Sequence, residues 1–188
     1  KTGLIPDAYF SATKIKWVLE NVPEAGRLLA AGDLCAGTID SYLIFKLTGG
    51  RAFVTDASNA SRTMLFNIRT AAWDKDLLEL FHIPESILPR IVDSDETVGF
   101  FEYESAKIPI CGIAGDQQAA LFGQCCFEEG SVKITYGTGM FMLYNIGGKL
   151  PPANGLALAT VAYRLRGKTT YALEGSVFNG GSTIQWLR

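Results

Sequence analysis

An α/β fold is what this sequence predicts, on three observations. Through the first half, apolar residues recur at the three- and four-residue spacing of helices with one buried face. From Thr97 the chain turns to short, β-branched or aromatic segments bordered by glycine. A helical stretch near Gln117 interrupts those strands, and helices alternating with strands make an α/β arrangement.

The elements follow in order. Ser11 can cap a helix that buries Ile15, Val18, Leu19 and Val22. Pro23 suits the first turn of a second helix, which Gly32 ends. Thr38 caps a third, "IDSYLIFKLTGG", and the pair Gly49-Gly50 stops it. Residues 51–69 are polar and turn-rich, a loop or short strand. Asp74 opens a helix through Phe81, and Pro84 opens a shorter one. The strands are "TVGFF", "KIPICGI", "SVKITY", "MFMLYNI", "LALATVAY" and "TTYALEG", with Ile108, Ile110, Cys111 and Ile113 on a buried one. Between them a helix from Gln117 to about Cys125 carries Ala119, Ala120, Leu121 and Phe122 on its apolar side. Another helix begins after "FNGG". The boundary falls at "FEEGS", residues 127–131, where a helix hands over to antiparallel strands.

Composition narrows the function. At 188 residues the chain is one large domain or parts of two, and its 48% hydrophobic content can fill a core. A net charge of −2 without a Lys/Arg cluster argues against a nucleic-acid or membrane-surface partner. No apolar run is long enough to span a bilayer. Cys35, Cys111, Cys125 and Cys126 lack the spacing of a metal site, so no metal ligands are assigned, and reduced thiols point to the cytoplasm. His82 stands alone without a nucleophile motif, which sets a Ser-His-Asp or Cys-His mechanism aside. A first residue other than Met, and a last stretch "IQWLR" that is still helical, lead us to expect a piece of a longer protein.

Three glycine-bordered stretches could carry chemistry. In "GIAGDQQAALFG", Asp116 sits where a strand meets a helix. Its carboxylate could cap the helix, the commoner use of such an acid, or serve as a base that the flanking glycines leave open to a ligand. In "TYGTGMF", the turn Gly137-Thr138-Gly139 is an ordinary hairpin or an anion cradle to which Thr138 adds a hydroxyl. In "EGSVFNGGSTIQW", Gly180 and Gly181 precede a helix, either an ordinary glycine-rich start, the better reading of the motif alone, or one whose first amides could face a phosphate, with Gln185 one turn on. Tyr9, Phe10 and Phe141 are by spacing alone core aromatics. Together the three stretches make half of a phosphoryl-transfer site, with the substrate open.

These stretches, with "DAYFSATKIKW" and "TDASNASRTMLFNI", closely resemble the glycerol-phosphorylating members of the FGGY carbohydrate kinase family, from Lys1 to Arg188. The resemblance implies a ribonuclease H-like fold of the actin/hexokinase ATPase type. Residues 1–127 would be the C-terminal part of the substrate lobe, and 128–188 the N-terminal part of the nucleotide lobe. It implies ATP-dependent phosphorylation of glycerol, with Mg2+ and with Asp116 as general base. Tyr9, Asp116, Gln117 and Phe141 would hold glycerol, and Gly137, Thr138, Gly139, Gly181 and Gln185 the nucleotide. It also implies a homo-oligomer, a dimer or tetramer, of a full-length cytoplasmic enzyme, and a fragment inactive by itself. A kinase for another polyol or sugar, and a nucleotide- or polyol-binding module without turnover, are the alternatives.

Overall fold

In the computed structural model, which describes residues 1–150 and 157–188, the chain opens with two helices in contact, α1 (Ser11–Asn21) and α2 (Pro23–Ala31). Phe10, not Ser11, is the N-cap of α1, and no side chain caps it. Packing fixes the helix start instead: Phe10 is buried in a cluster with Ala12, Met64 and Leu65, and the Ala12 N–H donates to Thr63 O at 2.9 Å. Ile15 and Leu19 join that cluster, whereas Val18 is exposed, so α1 buries a narrower stripe than its spacing suggests. Gly32, at φ +77°, closes α2 in the left-handed conformation that glycine adopts without strain. The third helix, α3 (Ile39–Leu47), follows Thr38 and ends at Thr48, whose hydroxyl donates to Ile44 O at 2.7 Å.

The turn-rich stretch after α3 holds more structure than its polarity suggests. Strand β1 (Val54–Asp56) leads into a single-turn helix, α4 (Ala57–Ala60), and then a short hairpin, β2 (Phe66–Asn67) with β3 (Ala72–Trp73). Helix α5 (Lys75–Phe81) is capped as expected, the Asp74 carboxylate accepting from the Leu77 N–H at 3.2 Å. A 3-10 turn, Glu85–Ile87, precedes β4 (Arg90–Val92), which pairs parallel with β1. Next comes the hairpin β5 (Gly99–Tyr103) and β6 (Ala106–Ile110). The strand expected through Ile113 therefore stops at Ile110. Ile108 and Cys111 are exposed, Ile110 packs partly buried against Ile44, Val54 and Val92, and Ile113 alone of the four is buried.

Helix α6 (Asp116–Gly123) leads to a four-stranded antiparallel sheet of β7 (Val132–Tyr136), β8 (Met140–Gly147), β9 (Leu158–Leu165) and β10 (Lys168–Val177), in the order β7-β8-β10-β9. Leu156 of the expected strand "LALATVAY" lies outside the described residues. Helix α7 (Gly181–Leu187) follows. The sheet packs on what precedes it. Ala159 and Val161 of β9 and Tyr171 of β10 share a core with Ala57 and Ala60 of α4, Phe66 and Ile68. Leu121 of α6 is fully buried against Leu143, Ala162 and Ala172. Side chains from both sides of residues 127–131 thus interlock, and α6 is clamped between the sheet and the α4 turn.

Candidate functional site

The α4 turn builds the platform for Asp116. Asp56, at the end of β1, is fully buried and caps α4, accepting from the N–H groups of Ser58 (3.1 Å) and Asn59 (3.0 Å). It also accepts from Asn59 Nδ2, Ser58 Oγ and Ser94 Oγ, at 2.8, 2.9 and 2.7 Å. A buried carboxylate with this many donors is rigidly placed. Ser58 Oγ in turn accepts from the Gly115 N–H at 2.9 Å. Gly115 is the N-cap of α6, and a Cβ there would stand 2.5 Å from Gln118 Oε1, so a side chain at this position would displace the Gln118 amide. Gln118 is itself buried, donating to Thr160 Oγ1 at 3.2 Å.

Asp116 is therefore the first residue of α6 rather than its cap. Its carboxylate is exposed, and Gln117 Nε2 donates to its Oδ2 at 3.3 Å. An uncapped acid on a fixed backbone at a helix start is available to a ligand. It lines a cleft of about 740 Å³ together with Tyr9, Gln117 and Phe141. Tyr9 is 66% exposed, so the core placement suggested by spacing holds for Phe10 and not for Tyr9.

The cleft is also lined by polar residues to which the sequence assigned no site role, among them Asp40, Asn59, Arg62 and Glu174. Arg62 and Glu174 form a double ion pair, at 2.9 and 3.1 Å, that ties the segment after α4 to β10. A signal for them existed, since "NASRTM" and "ALEGS" each carry a charge inside an otherwise small or apolar run. Burial holds the Asp40 carboxyl above the usual carboxylate range, although the hydroxyls of Thr38 and Thr55 pull it back. Its Oδ1 is buried without a partner among the described residues. Beneath the cleft lies Lys133, 1% exposed, whose Nζ donates to Gln117 Oε1 at 2.5 Å.

The glycine-rich stretches form a second locus. Gly137, Thr138 and Gly139 make the turn between β7 and β8, with the Gly137 N–H donating to Gly139 O at 2.8 Å. Helix α7 starts directly against it. The Gly180 N–H donates to Thr138 O at 2.7 Å and the Gly181 N–H to Gly137 O at 2.8 Å. These two amides are therefore not free for a phosphate, as the sequence suggested; they hold the turn. A Cβ on Gly181 would stand 2.8 Å from Gly137 O, so this close approach is what requires glycine there. Thr138 and Gln185 are exposed on the turn and on α7. Phe141 connects the two loci, since its ring would lie 3.2 Å from a Cβ on Gly139.

Among the described residues no three His, Cys, Asp or Glu side chains gather as a metal cage, and no helix is long and apolar enough to cross a membrane. All four cysteines are free.

Comparison with known proteins places this geometry. Residues 1–123 match the N-terminal domain of the FGGY family of carbohydrate kinases. A glycerol kinase of Ectopseudomonas mendocina is 57% identical over the whole chain, and glycerol kinase 2 of Sulfolobus acidocaldarius is 56% identical. The chain spans 38% of the length of these curated relatives. The solved glycerol kinase of Plasmodium falciparum with ADP superposes with a TM-score of 0.93 at 41% identity, covering 100% of this chain and 38% of that one. A gluconate kinase from Lactobacillus acidophilus superposes at 0.79 with 26% identity, over 100% of this chain and 38% of that one. The α/β architecture is thus a portion of the actin/hexokinase-type ATPase fold. Matched by the family model over residues 1–123 and by these kinases along its whole length, the chain belongs to the FGGY family of carbohydrate kinases.

Proposed function

We propose that this chain is the central segment of an ATP-dependent glycerol kinase, with Asp116 as its general base. One observation carries the proposal: the uncapped Asp116 carboxylate shares a cleft with Tyr9, Gln117 and Phe141. The likeness to glycerol kinases along the entire chain supports it. A terminal hydroxyl of glycerol gives its proton to Asp116 while its oxygen attacks the γ-phosphorus of ATP. The bond from that phosphorus to the bridging oxygen breaks, and ADP leaves. The Tyr9 hydroxyl and the Gln117 amide hold glycerol oxygens, and Phe141 packs on the carbon skeleton. A base fixed in this way is worth about a hundred- to ten-thousand-fold in rate.

For the nucleotide, Gly137, Thr138 and Gly139 offer the phosphates a turn with an exposed hydroxyl, and Gly181 and Gln185 contribute from α7. With its two amides committed to the turn, the α7 start acts by bracing it. Mg2+ would arrive with the nucleotide, Asp116 would be the carboxylate this chain offers it, and the ion would neutralise phosphate charge. Residues 1–127 then belong to the substrate lobe and 128–188 to the nucleotide lobe, and the segment alone is not competent. The free cysteines support a reducing, cytoplasmic setting, and a homo-oligomer of the full-length protein completes the proposal.

The test is ADP release by the full-length protein with glycerol, erythritol, xylulose and gluconate, with Asp116→Asn beside it. Glycerol turnover that Asp116→Asn lowers by about a hundredfold or more supports the proposal. Turnover with another acceptor replaces the substrate and keeps the base. Saturable glycerol binding with no ADP release refutes the enzyme and leaves a binding module.

A further inference from the structure

Strand β7 faces opposite to its hydropathy. In "VKITY" the side chains alternate between faces, and burial of Val132 and Ile134 would turn Lys133 to solvent. The structure does the reverse, with Val132 and Ile134 44% and 43% exposed and Lys133 at 1%. The pairing of Lys133 with Leu143 and of Thr135 with Phe141 fixes this orientation. Burying an ammonium is unfavourable unless polar partners receive it, and a local rule broken at such a cost marks a functional site.

Three of the four groups that act on Lys133 line the cleft. Its Nζ donates to Gln117 Oε1, and the charges of Asp116 and Glu174 act on it, with Cys126 adding a smaller effect. Burial outweighs those charges and holds the ammonium below the usual lysine range. The other end of the Gln117 amide, Nε2, donates to Asp116 Oδ2. A lysine ammonium has three donors and no acceptor, so it accepts one orientation of that amide. A flipped amide would set its NH2 group against the ammonium.

We propose that Lys133 is a positioning residue of this site: from beneath the cleft it locks the Gln117 amide with Oε1 inward and Nε2 toward Asp116. The inference rests on the glycerol kinase reading of the cleft. In the locked orientation an N–H donor lies beside the carboxylate. It grips the oxygen of the reacting hydroxyl and leaves that hydroxyl's proton to Asp116. Without the lysine the amide is free to turn its carbonyl toward the same oxygen, and the hydroxyl is lost from line.

The experiment is a double-mutant cycle in the full-length protein with Lys133→Met, Gln117→Met and the pair, reading kcat and the KM values for glycerol and ATP. Lys133→Met is expected to lower kcat/KM for glycerol by about ten- to a hundredfold, as misplacement of a reacting group does, and to leave the KM for ATP within about twofold. Its thermal midpoint should hold or rise, because a buried charge is gone. In the Gln117→Met background the same substitution should cost almost nothing more, a coupling that a purely structural lysine would not produce. If Lys133→Met does not fold, Lys133→Gln carries the cycle, because its amide both donates and accepts and so no longer enforces one orientation of Gln117. Glycerol kinetics within about twofold of wild type in Lys133→Met, or an undiminished loss in the Gln117→Met background, overturns the role of Lys133 alone. A wild-type protein that releases no ADP with glycerol overturns the underlying reading before any variant is compared.

Discussion

The Ser58 hydroxyl accepts the Gly115 amide proton at 2.9 Å and donates its own proton to Asp56 at 2.9 Å. One small side chain thereby couples the buried carboxylate at the end of β1 to the residue just before Asp116. Ser58→Ala leaves the Gly115 N–H short of an acceptor and Asp56 short of a donor. The expected loss is about 1–3 kcal/mol in urea unfolding of the full-length protein. Because Asp116 hangs from that amide, kcat with glycerol should fall more than the KM for ATP rises. Unchanged stability and unchanged kcat together would show that Gly115 is held by other means.

Asp74 and Asp40 should respond to neutralisation with opposite signs. Burial opposes ionisation of Asp74, but hydrogen bonds from Lys1, Asn67 and the Leu77 N–H win and hold its carboxyl below the usual range. A folded value below the unfolded one gives stability above the unfolded pKa that is lost as pH falls through the folded one. Asp74→Asn should therefore lower the thermal midpoint at pH 7, and the gap from wild type should close in acid. A gap that persists at pH 2 would assign the effect to lost shape rather than to charge.

The case of Asp40 is reversed. Burial raises its carboxyl, and Asp56 nearby adds to the effect of burial. The native state then takes up the proton first as pH falls, so stability declines as pH rises from the unfolded value through the folded one. Asp40→Asn should raise the midpoint at pH 7 and be neutral in acid, with midpoints across pH 3–8 as the measurement. Destabilisation at pH 7 would mean that the buried Oδ1 has a partner in the full-length protein that the amide cannot serve.

The sequence reveals much of this fold where local rules govern it. Pro23, Gly32, Asp74 and the glycine pair after α3 mark their helix ends because capping and turn chemistry act within a few residues. It allows a short strand where β1 lies without fixing its bounds and conceals α4 and β4, because those elements are too short for periodicity and lean on Asp56, whose donors include the distant Ser94. Asp116 was legible as an acid at a glycine-bordered junction. Arg62 and Glu174 showed only as charges in small or apolar runs, and neither their pairing nor the inward Lys133 was legible, since the register of β7, β8 and β10 and the packing of β9 on α4 bring them together. Lys133 is the sharpest case: alternation places it outside, and the charges gathered beneath the cleft place it inside.

The inversion of β7 has a further consequence for the segment by itself. With Lys133 turned inward, Val132, Ile134 and Tyr136 lie on the outer face, where Ile134 meets Met142 and Val132 meets Tyr144 across the strands. Strand β7 is also an edge of its sheet, so an apolar face adjoins unpaired backbone groups. Residues 1–188 expressed alone should associate as concentration rises, by light scattering or analytical ultracentrifugation. Ile134→Glu should suppress that association by charging the face. If the rest of the full-length protein covers this face, the same substitution should instead destabilise there, by about 1–3 kcal/mol for a charge set on a covered apolar surface. A segment that stays monomeric at high concentration, or an Ile134→Glu full-length protein as stable as wild type, would mean that the outer face of β7 stands open to water in the enzyme.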